Sequence, residues 1–196
     1  DACRSRRPLR FDPCVHAVRR GGLAGMTFKN VRFQAAGIRN SPVGDGVADD
    51  TKAVQKAIET AVSEGAFLRF PSGRFKCGPL TIPAGASIRW AGERGSVLVA
   101  SAADQTFAAP TGDVSISGLS FEGYMTAFNC EDVPAGASLR FDGLTFIGCG
   151  LTSTASGKVD RQAAIQCRDV NAAVIDSLSV TNCTFEGGDF GVCWRG

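Results

Sequence analysis

The sequence has little of the residue types from which most metal centres and general-base sites are built. Its 196 residues include one histidine, one tyrosine and two methionines. The eight cysteines form no CxxC pair and have no Cys/His spacing that suits zinc. No apolar run approaches the ~18 to 20 residues of a membrane-spanning helix. We therefore expect neither a zinc cluster nor a membrane partner.

Long helical patterns are also scarce, whereas glycine is abundant, with 24 residues. Hydrophobic residues make up 44% of the chain, enough to form a core in one domain or in one stretch of a solenoid. This combination favours a turn-rich β architecture over a helical bundle.

The first 25 residues have a different composition from the rest. They contain six arginines, the single histidine His16, Cys3 and Cys14, and no apolar periodicity. Neither aromatic interleaving nor a phosphate-binding loop accompanies the arginines, so a nucleic-acid partner is not expected. The segment also lacks the apolar core of a secretory signal peptide. We expect a disordered tail, or upstream sequence read through before Met26.

The number of cysteines leaves two alternatives open. They form disulfides in an exported protein, or they serve as small buried thiols. Several fall on positions that the repeat described below assigns to the core, which favours buried thiols.

Residues 51–64 form the clearest single element. Apolar residues recur there at helical spacing, at Val54, Ala57, Ile58, Ala61 and Val62. This pattern predicts an amphipathic helix. Asp49 or Asp50 is expected to cap its N-terminus, and Gly65 stands where a helix usually ends.

After this helix the hydrophobic period changes from 3.6 to 2 in short bursts. The bursts lie at 67–70, 74–77, 80–82 and 87–90. The segments between them are only a few residues long, too short for the helical crossovers of an α/β sheet. Strands are therefore expected to follow strands around a coil.

A decapeptide pattern then occurs three times: apolar, x, apolar, x, Gly or Asn, Leu or Cys, x, Phe, x, Gly. The copies begin at Val114, Leu139 and Leu178, with offsets of 25 and 39, and a weaker fourth copy begins at Ile88. A period of about 25 residues without an internal helix predicts a solenoid, here of about four coils.

The repeat also predicts which residues stack. Like positions in successive coils form ladders about 4.8 Å apart. One ladder is Phe121, Phe146 and Phe185, and another is Leu119, Leu144 and Cys183. The fourteen extra residues between the second and third copies are expected to leave the coil as a loop within 151–162.

The two ends of the solenoid differ in the sequence. The 51–64 helix is expected to cap the first coil, since an open solenoid end exposes unpaired strand edges. No similar element follows the last repeat, so the chain is expected to stop in the middle of a coil.

Residues 30–82 resemble the N-terminal region of the pectate-lyase-like superfamily, specifically its rhamnogalacturonase and epimerase-like members. The motif comprises NVRFQAAG at 30–37, GDGVADDTKAVQKAIE at 44–59 and FLRFPSGRFKCGPLTI at 67–82. The resemblance implies an all-β, right-handed parallel β-helix with an N-terminal capping α-helix, with 26–196 as the N-terminal portion of that domain. Gln34 and the inserted IRNSPV before Gly44 depart from the family pattern, and we expect a local bulge there. Phe75 replaces the usual tyrosine of the first coil.

The resemblance implies a carbohydrate-active protein, although the matching segment carries no catalytic residue in the family. A polysaccharide lyase, glycoside hydrolase or epimerase acting on acidic glycans is expected, with its catalytic coils beyond residue 196. The alternative is a non-catalytic scaffold, such as a trimeric phage tailspike or a surface adhesin that binds glycan. The parent protein is expected outside the cell or in the periplasm, or on a virion if it is a tailspike. No cofactor is evident, and calcium stays open for the parent protein.

The candidate catalytic residues are polar side chains around the insertion and the last repeat. They are Asp160, Arg161, Glu186 and Asp189, with Lys158 and Asp169 as neighbours. Glu122 and Glu186 occupy the same outward repeat position two coils apart, with Ile147 between them. A solvated surface is the stronger interpretation of that pair, whereas the loop residues flank a rigid solenoid face, where such folds place binding sites.

Overall fold

The structure is a computed structural model that describes residues 30–32, 42–150, 152–153, 160–167 and 175–194. The helix α1 spans Thr51–Ser63. The strands, in chain order, are β1 (Asn30–Arg32), β2 (Asp45–Asp49), β3 (Phe67–Phe70), β4 (Gly73–Cys77), β5 (Ile88–Gly92), β6 (Ser96–Ala100), β7 (Thr106–Ala108), β8 (Val114–Ser117), β9 (Ser120–Glu122), β10 (Thr126–Asn129), β11 (Ser138–Asp142), β12 (Thr145–Ile147), β13 (Thr152–Ser153), β14 (Asp160–Arg161), β15 (Ile165–Cys167), β16 (Ser177–Thr181), β17 (Thr184–Glu186) and β18 (Val192–Trp194).

These strands form three parallel sheets that the chain visits in turn. Sheet 1 has the order β1-β3-β5-β8-β11-β16, sheet 2 the order β2-β4-β6-β9-β12-β17, and sheet 3 the order β7-β10-β15-β18. The fold is thus a parallel β-helix, as predicted. The four predicted repeats are confirmed, and a further coil, β3–β4, precedes them and reaches sheet 3 through a bridge from Leu80 to Ala108.

The repeated Gly or Asn lies at the turn from sheet 1 to sheet 2. Gly118, Gly143 and Asn182 have φ angles of 64°, 62° and 54°. This left-handed conformation favours glycine, and asparagine tolerates it better than most residues. The backbone of the turn therefore explains why the repeat accepts only these two residue types here.

The predicted core ladders are confirmed. Phe146 pairs in register with Phe121 on one side and with Phe185 on the other. Leu119 and Leu144 are buried, and Cys183 is half-buried against the same core.

The predicted insertion is confirmed as well. Sheet 2 keeps the 25-residue offset between Phe121 and Phe146, whereas in sheet 3 Phe128 pairs with Ile165 at an offset of 37. Twelve of the fourteen extra residues therefore lie between β12 and β15, and the other two lie after β15, since Phe146 pairs with Phe185 at an offset of 39. Between β12 and β15, the strands β13 and β14 form an antiparallel hairpin outside the coil.

Helix α1 caps the first coil through side chains as well as apolar packing. The Thr51 hydroxyl accepts a hydrogen bond from Gly78 N at 2.8 Å. The Gln55 amide accepts one from Thr81 N and donates one to Thr81 O, both at 2.9 Å. The backbone groups of Gly78 and Thr81 thus find hydrogen-bond partners in the helix and not in a neighbouring strand. In this way the helix covers the edge of the first coil, which would otherwise be open.

The two aspartates before the helix have different roles, which partly corrects the sequence prediction. The Asp49 carboxylate accepts hydrogen bonds from the backbone and hydroxyl of Thr51, as a cap should. Asp50 makes no side-chain cap bond; its buried carboxylate instead accepts Val43 N at 2.7 Å and Gly44 N at 3.1 Å. Asp50 therefore fixes the turn into β2. The helix ends where predicted, before Gly65 at a φ of 59°.

A register irregularity lies in β2, whereas most of the insertion where the bulge was expected, residues 38–41, lies outside the described residues. Asp45 pairs with Arg74 and Asp49 with Lys76, so four steps along β2 match two steps along β4. The Asp45 carboxylate accepts Ala48 N at 2.9 Å and Val47 N at 2.8 Å and holds the extra residues. Gln34 and the segment 1–25 lie outside the described residues.

The described cysteines are thiols. Cys77, Cys130, Cys149 and Cys167 are buried, and Cys183 and Cys193 are half-buried. Within the described ranges, no helix is long and apolar enough to span a membrane.

Candidate functional site

The inserted hairpin carries two of the predicted catalytic residues. Asp160 and Arg161 form β14, paired with Thr152–Ser153, and the structure describes only their backbone. Lys158, Asp169 and His16 lie outside the described residues. Asp160 and Arg161 therefore stay predictions.

Asp189 lies beside the base of this hairpin. Its backbone N–H donates to Gly150 O at 3.0 Å, and Gly150 directly precedes the insertion. The carbonyl of the next residue, Phe190, accepts a hydrogen bond from Ala164 N at 3.0 Å, and Ala164 follows the inserted segment. The structure thus brings the turn that contains Asp189 against both ends of the inserted segment.

Glu186 ends β17 and is exposed. Its register with Ile147 and Glu122 is the one predicted. Glu122 pairs with Arg74, whose Nη2 alone donates to both carboxylate oxygens, at 3.0 and 2.9 Å. Glu122 thus forms an ion pair on the surface of the solenoid. This supports a solvated surface, and not a catalytic pair, as the interpretation of the Glu122–Glu186 row.

A polar cluster on sheet 3 was not predicted from the sequence. Glu131 accepts hydrogen bonds from Gln166 Nε2 at 2.8 Å and from Asn129 Nδ2 at 3.2 Å. Gln166 is only 3% exposed, and its Oε1 has no hydrogen-bond partner among the residues that the structure describes. An unpaired buried acceptor costs about 1–3 kcal/mol, so a donor that reaches it regains that energy.

This cluster lies in the same sheet that receives the insertion. Gln162, which follows the hairpin directly, accepts a hydrogen bond from the Thr126 hydroxyl at 3.3 Å. Thr126 and Asn129 are the two ends of β10, so the hairpin exit and the polar cluster share one strand. Sheet 3 therefore combines an irregular loop with an unsatisfied polar group.

The outer face of sheet 1 carries a second feature, an arginine row. In register across four coils, the row consists of Arg89, Ser115, Arg140 and Ser179. Two coil steps of about 4.8 Å separate the two arginine backbones by roughly 10 Å. Arg69 lies in the neighbouring row of the same face. Between the two arginines the row holds only the small side chain of Ser115.

Weak contacts orient the two guanidinium groups of the row. The Arg89 Cζ atom lies 5.9 Å from the centre of the Phe67 ring. Arg140 Nη2 lies 3.7 Å from Asp142 Oδ2, with 66% of the arginine side chain exposed. An exposed pair at this distance contributes at most about 1 kcal/mol. Arg140 is thus available to exchange this contact for a ligand carboxylate.

The Asp142 carboxylate is hydrogen-bonded to the neighbouring coil. It accepts hydrogen bonds from the Thr181 hydroxyl at 2.8 Å and from Asn182 Nδ2 at 3.0 Å, and these bonds lower its pKa below the ordinary value. It is the only acidic residue in strands β3, β5, β8, β11 and β16, against three arginines. The strands of this face therefore carry a net positive charge.

No metal centre is evident in the part of the chain that the structure describes, since it contains no group of three or more His, Cys, Asp or Glu side chains able to hold an ion. Comparisons with family models, with curated proteins and with solved structures found no match to this chain. The class that its architecture defines is that of the parallel β-helix proteins. That class hosts several functions, so function has to be argued from the surfaces described above.

Proposed function

We propose that this protein is a carbohydrate-active β-helix protein of the pectate-lyase-like kind, and that it binds an acidic polysaccharide along the arginine row. The row itself is the observation that supports the proposal most. Its positive side chains repeat along the solenoid axis, as the carboxylates of a uronate polymer repeat along the chain. Guanidinium groups pair with carboxylates in a bidentate manner, and serine hydroxyls exchange hydrogen bonds with sugar hydroxyls.

Repetition supplies the affinity that one exposed ion pair lacks. A single exposed pair is worth about 0.2–1 kcal/mol. A polymer that engages Arg89 first holds its next carboxylates close to Arg140, so later contacts cost little additional entropy. The stacked strands also hold the row rigid, which reduces the ordering cost of binding. We therefore expect binding that requires a polymer, weakens with salt and is poor for a monosaccharide.

Chemistry on the bound polymer is the second part of the proposal. A lyase, a hydrolase and an epimerase are the reaction classes that the resemblance implies. We assign this role to Asp189 and the inserted hairpin, because loops beside a rigid scaffold are common sites of catalysis. Both lie between strands of sheets 2 and 3, so the assignment requires the polymer to extend from the face of sheet 1 to that side of the coil. Extracellular or periplasmic action fits such substrates, which lie outside the cell.

Titration calorimetry with polygalacturonate tests the binding step. We expect measurable binding at low ionic strength, loss of affinity on addition of salt, and no binding of neutral dextran. Equal affinity for dextran and polygalacturonate would contradict the proposal.

Product analysis of the same mixtures tests the second step. The ultraviolet absorbance of unsaturated uronates indicates a lyase, and new reducing ends without that absorbance indicate a hydrolase. A changed uronate composition at constant chain length indicates an epimerase. Binding without any of these changes assigns the chain a non-catalytic, glycan-binding role.

A further inference from the structure

Cys130 and Cys167 are neighbours in successive coils. Asn129 pairs in register with Gln166, so the next residue of each segment, Cys130 and Cys167, continues the same ladder. The backbone confirms this continuation, because Cys130 N donates to Gln166 O at 2.7 Å. Both side chains are fully buried.

The contact between these two thiols differs from those of other described cysteines. In the folded chain the two thiols influence each other, which lowers the pKa of Cys167 and, together with burial, raises that of Cys130. Cys149 Sγ and Cys183 Sγ instead lie 3.5 and 3.7 Å from backbone carbonyl oxygens, those of Phe121 and Phe141. Cys130 and Cys167 thus stand beside each other in successive coils, whereas the other two thiols lie against main-chain oxygens.

Backbone spacing permits a covalent bond at this place. Adjacent strands lie about 4.8 Å apart. Disulfides span Cα separations of roughly 4.4–6.8 Å. No large backbone movement is therefore needed to join the two sulfurs.

We propose that Cys130 and Cys167 form a disulfide that links two successive coils when the chain folds under oxidising conditions. Cys130 follows β10, and Cys167 ends β15, the first strand of sheet 3 after the inserted hairpin. The disulfide would therefore join the coil that contains the insertion to the coil before it. A cross-link there closes a loop that spans the whole of β11, β12 and the hairpin.

The reaction requires an oxidant, for which glutathione disulfide serves. During folding, the thiolate of one of these cysteines attacks glutathione disulfide, forming a mixed disulfide and releasing one glutathione. The other cysteine then loses its proton and attacks the protein sulfur of the mixed disulfide, which releases the second glutathione. The two protein thiols lose two electrons and two protons, and glutathione disulfide is reduced to two thiols. Because both sulfurs are buried in the folded chain, the exchange takes place during folding.

Refolding the full chain in a glutathione buffer rich in the disulfide form, followed by alkylation and trypsin digestion, tests this assignment. Cleavage after lysine and arginine places Cys77, Cys130, Cys149 and Cys167 in separate peptides, 77–89, 95–140, 141–158 and 162–168. We expect 95–140 joined to 162–168, two hydrogen atoms lighter than the sum of the free peptides, while 141–158 carries an alkylated thiol. Recovery of 95–140 and 162–168 with alkylated thiols, or joined to other peptides, would overturn the proposal.

Denaturant unfolding of the same samples gives a second measurement. The link is expected to lower the unfolding equilibrium constant by roughly a hundredfold or more, since it closes a long loop in the unfolded chain. Dithiothreitol should reverse this shift in the wild type. Cys130→Ala should remove both the joined peptide and the difference between oxidised and reduced samples, whereas Cys149→Ala should keep both. An oxidised wild type no more stable than the reduced one contradicts the assignment.

Discussion

The ring of Phe146 lies parallel to that of Phe185, with centroids 4.9 Å apart and an interplanar angle of 7°. On its other side the ring of Phe121 lies 5.4 Å away at 17°. The spacing is close to that between hydrogen-bonded strands, so the ring stack follows the coil repeat directly. Phe146 is therefore packed between rings of the coils on both sides, so this ladder contributes to cohesion between coils.

Truncation inside this ladder should be costly. Phe146→Ala removes a ring that is 1% exposed, and we expect a loss of about 3–5 kcal/mol in the free energy of unfolding. Phe185→Ala serves as the matched control, because its ring is 39% exposed and leaves a smaller cavity. Urea unfolding measures both variants. An equal loss for the two would show that burial does not determine the contribution of each ring.

The division of labour between Asp49 and Asp50 gives a second prediction. Asp50→Ala leaves Val43 N and Gly44 N without their acceptor, and we expect a loss of about 1.5–3 kcal/mol. Asp49→Ala removes a helix cap and should cost about 0.5–2 kcal/mol. Asp50→Asn keeps one acceptor and should be milder than Asp50→Ala. Thermal unfolding of the three variants checks this order, and a larger loss for Asp49→Ala than for Asp50→Ala would contradict the assignment.

Tyr124, the single tyrosine, gives a spectroscopic prediction. It is fully buried, its hydroxyl donates to Cys77 O at 3.1 Å, and burial raises its pKa far above the ordinary value of 10.0. The folded chain keeps the neutral phenol while the unfolded chain ionises near pH 10, so this contribution to stability is complete below pH 10 and declines as pH rises above it. Tyrosinate absorbance should therefore appear together with loss of the folded circular dichroism signal. Ionisation near pH 10 in a chain that remains folded would rule out the buried position.

Asp142 gives a prediction for the acid side, where stability should fall as the pH is lowered. The bonds from Thr181 and Asn182 lower the pKa of Asp142 below its ordinary value of 3.8. This contribution to stability is therefore present above that value and is lost as pH falls through the lower, folded-state pKa. We expect Asp142→Asn to make the acid-side decline in unfolding free energy shallower, with Thr181→Ala intermediate. A decline of unchanged steepness in Asp142→Asn would show that this carboxylate does not contribute to the acid response.

The repeat and the helix period were enough to predict most of the fold. Phe121, Phe146 and Phe185 could be aligned because like positions in successive coils share one environment, and the change in offset located the inserted segment. The role of Asp50 could not be predicted, since its partners Val43 and Gly44 belong to a turn without a recognisable pattern. The cluster of Glu131 and Gln166 was missed because the sheet 3 segments carry no repeat.

The arginine row had a signal that the repeat already contained. Arg89, Ser115, Arg140 and Ser179 all occupy the second position of the decapeptide and its weaker copy. The apolar positions of a repeat predict the core, and the residues at its outward positions predict which side chains line up on the surface. Asp160 and Arg161 stay predictions, because the structure describes only their backbone.

The most direct test of the account compares polygalacturonate binding by the wild type with binding by the double variant Arg89→Ala/Arg140→Ala at low salt. Lys52→Ala/Lys56→Ala is the matched control, since it removes the same charge from two exposed side chains on the helix. We expect at least a tenfold loss of affinity in the arginine variant, about 1.4 kcal/mol. The lysine variant should bind like the wild type. Equal affinities for all three proteins, or an equal loss in both variants, would contradict the claim that the arginine row is the glycan-binding surface.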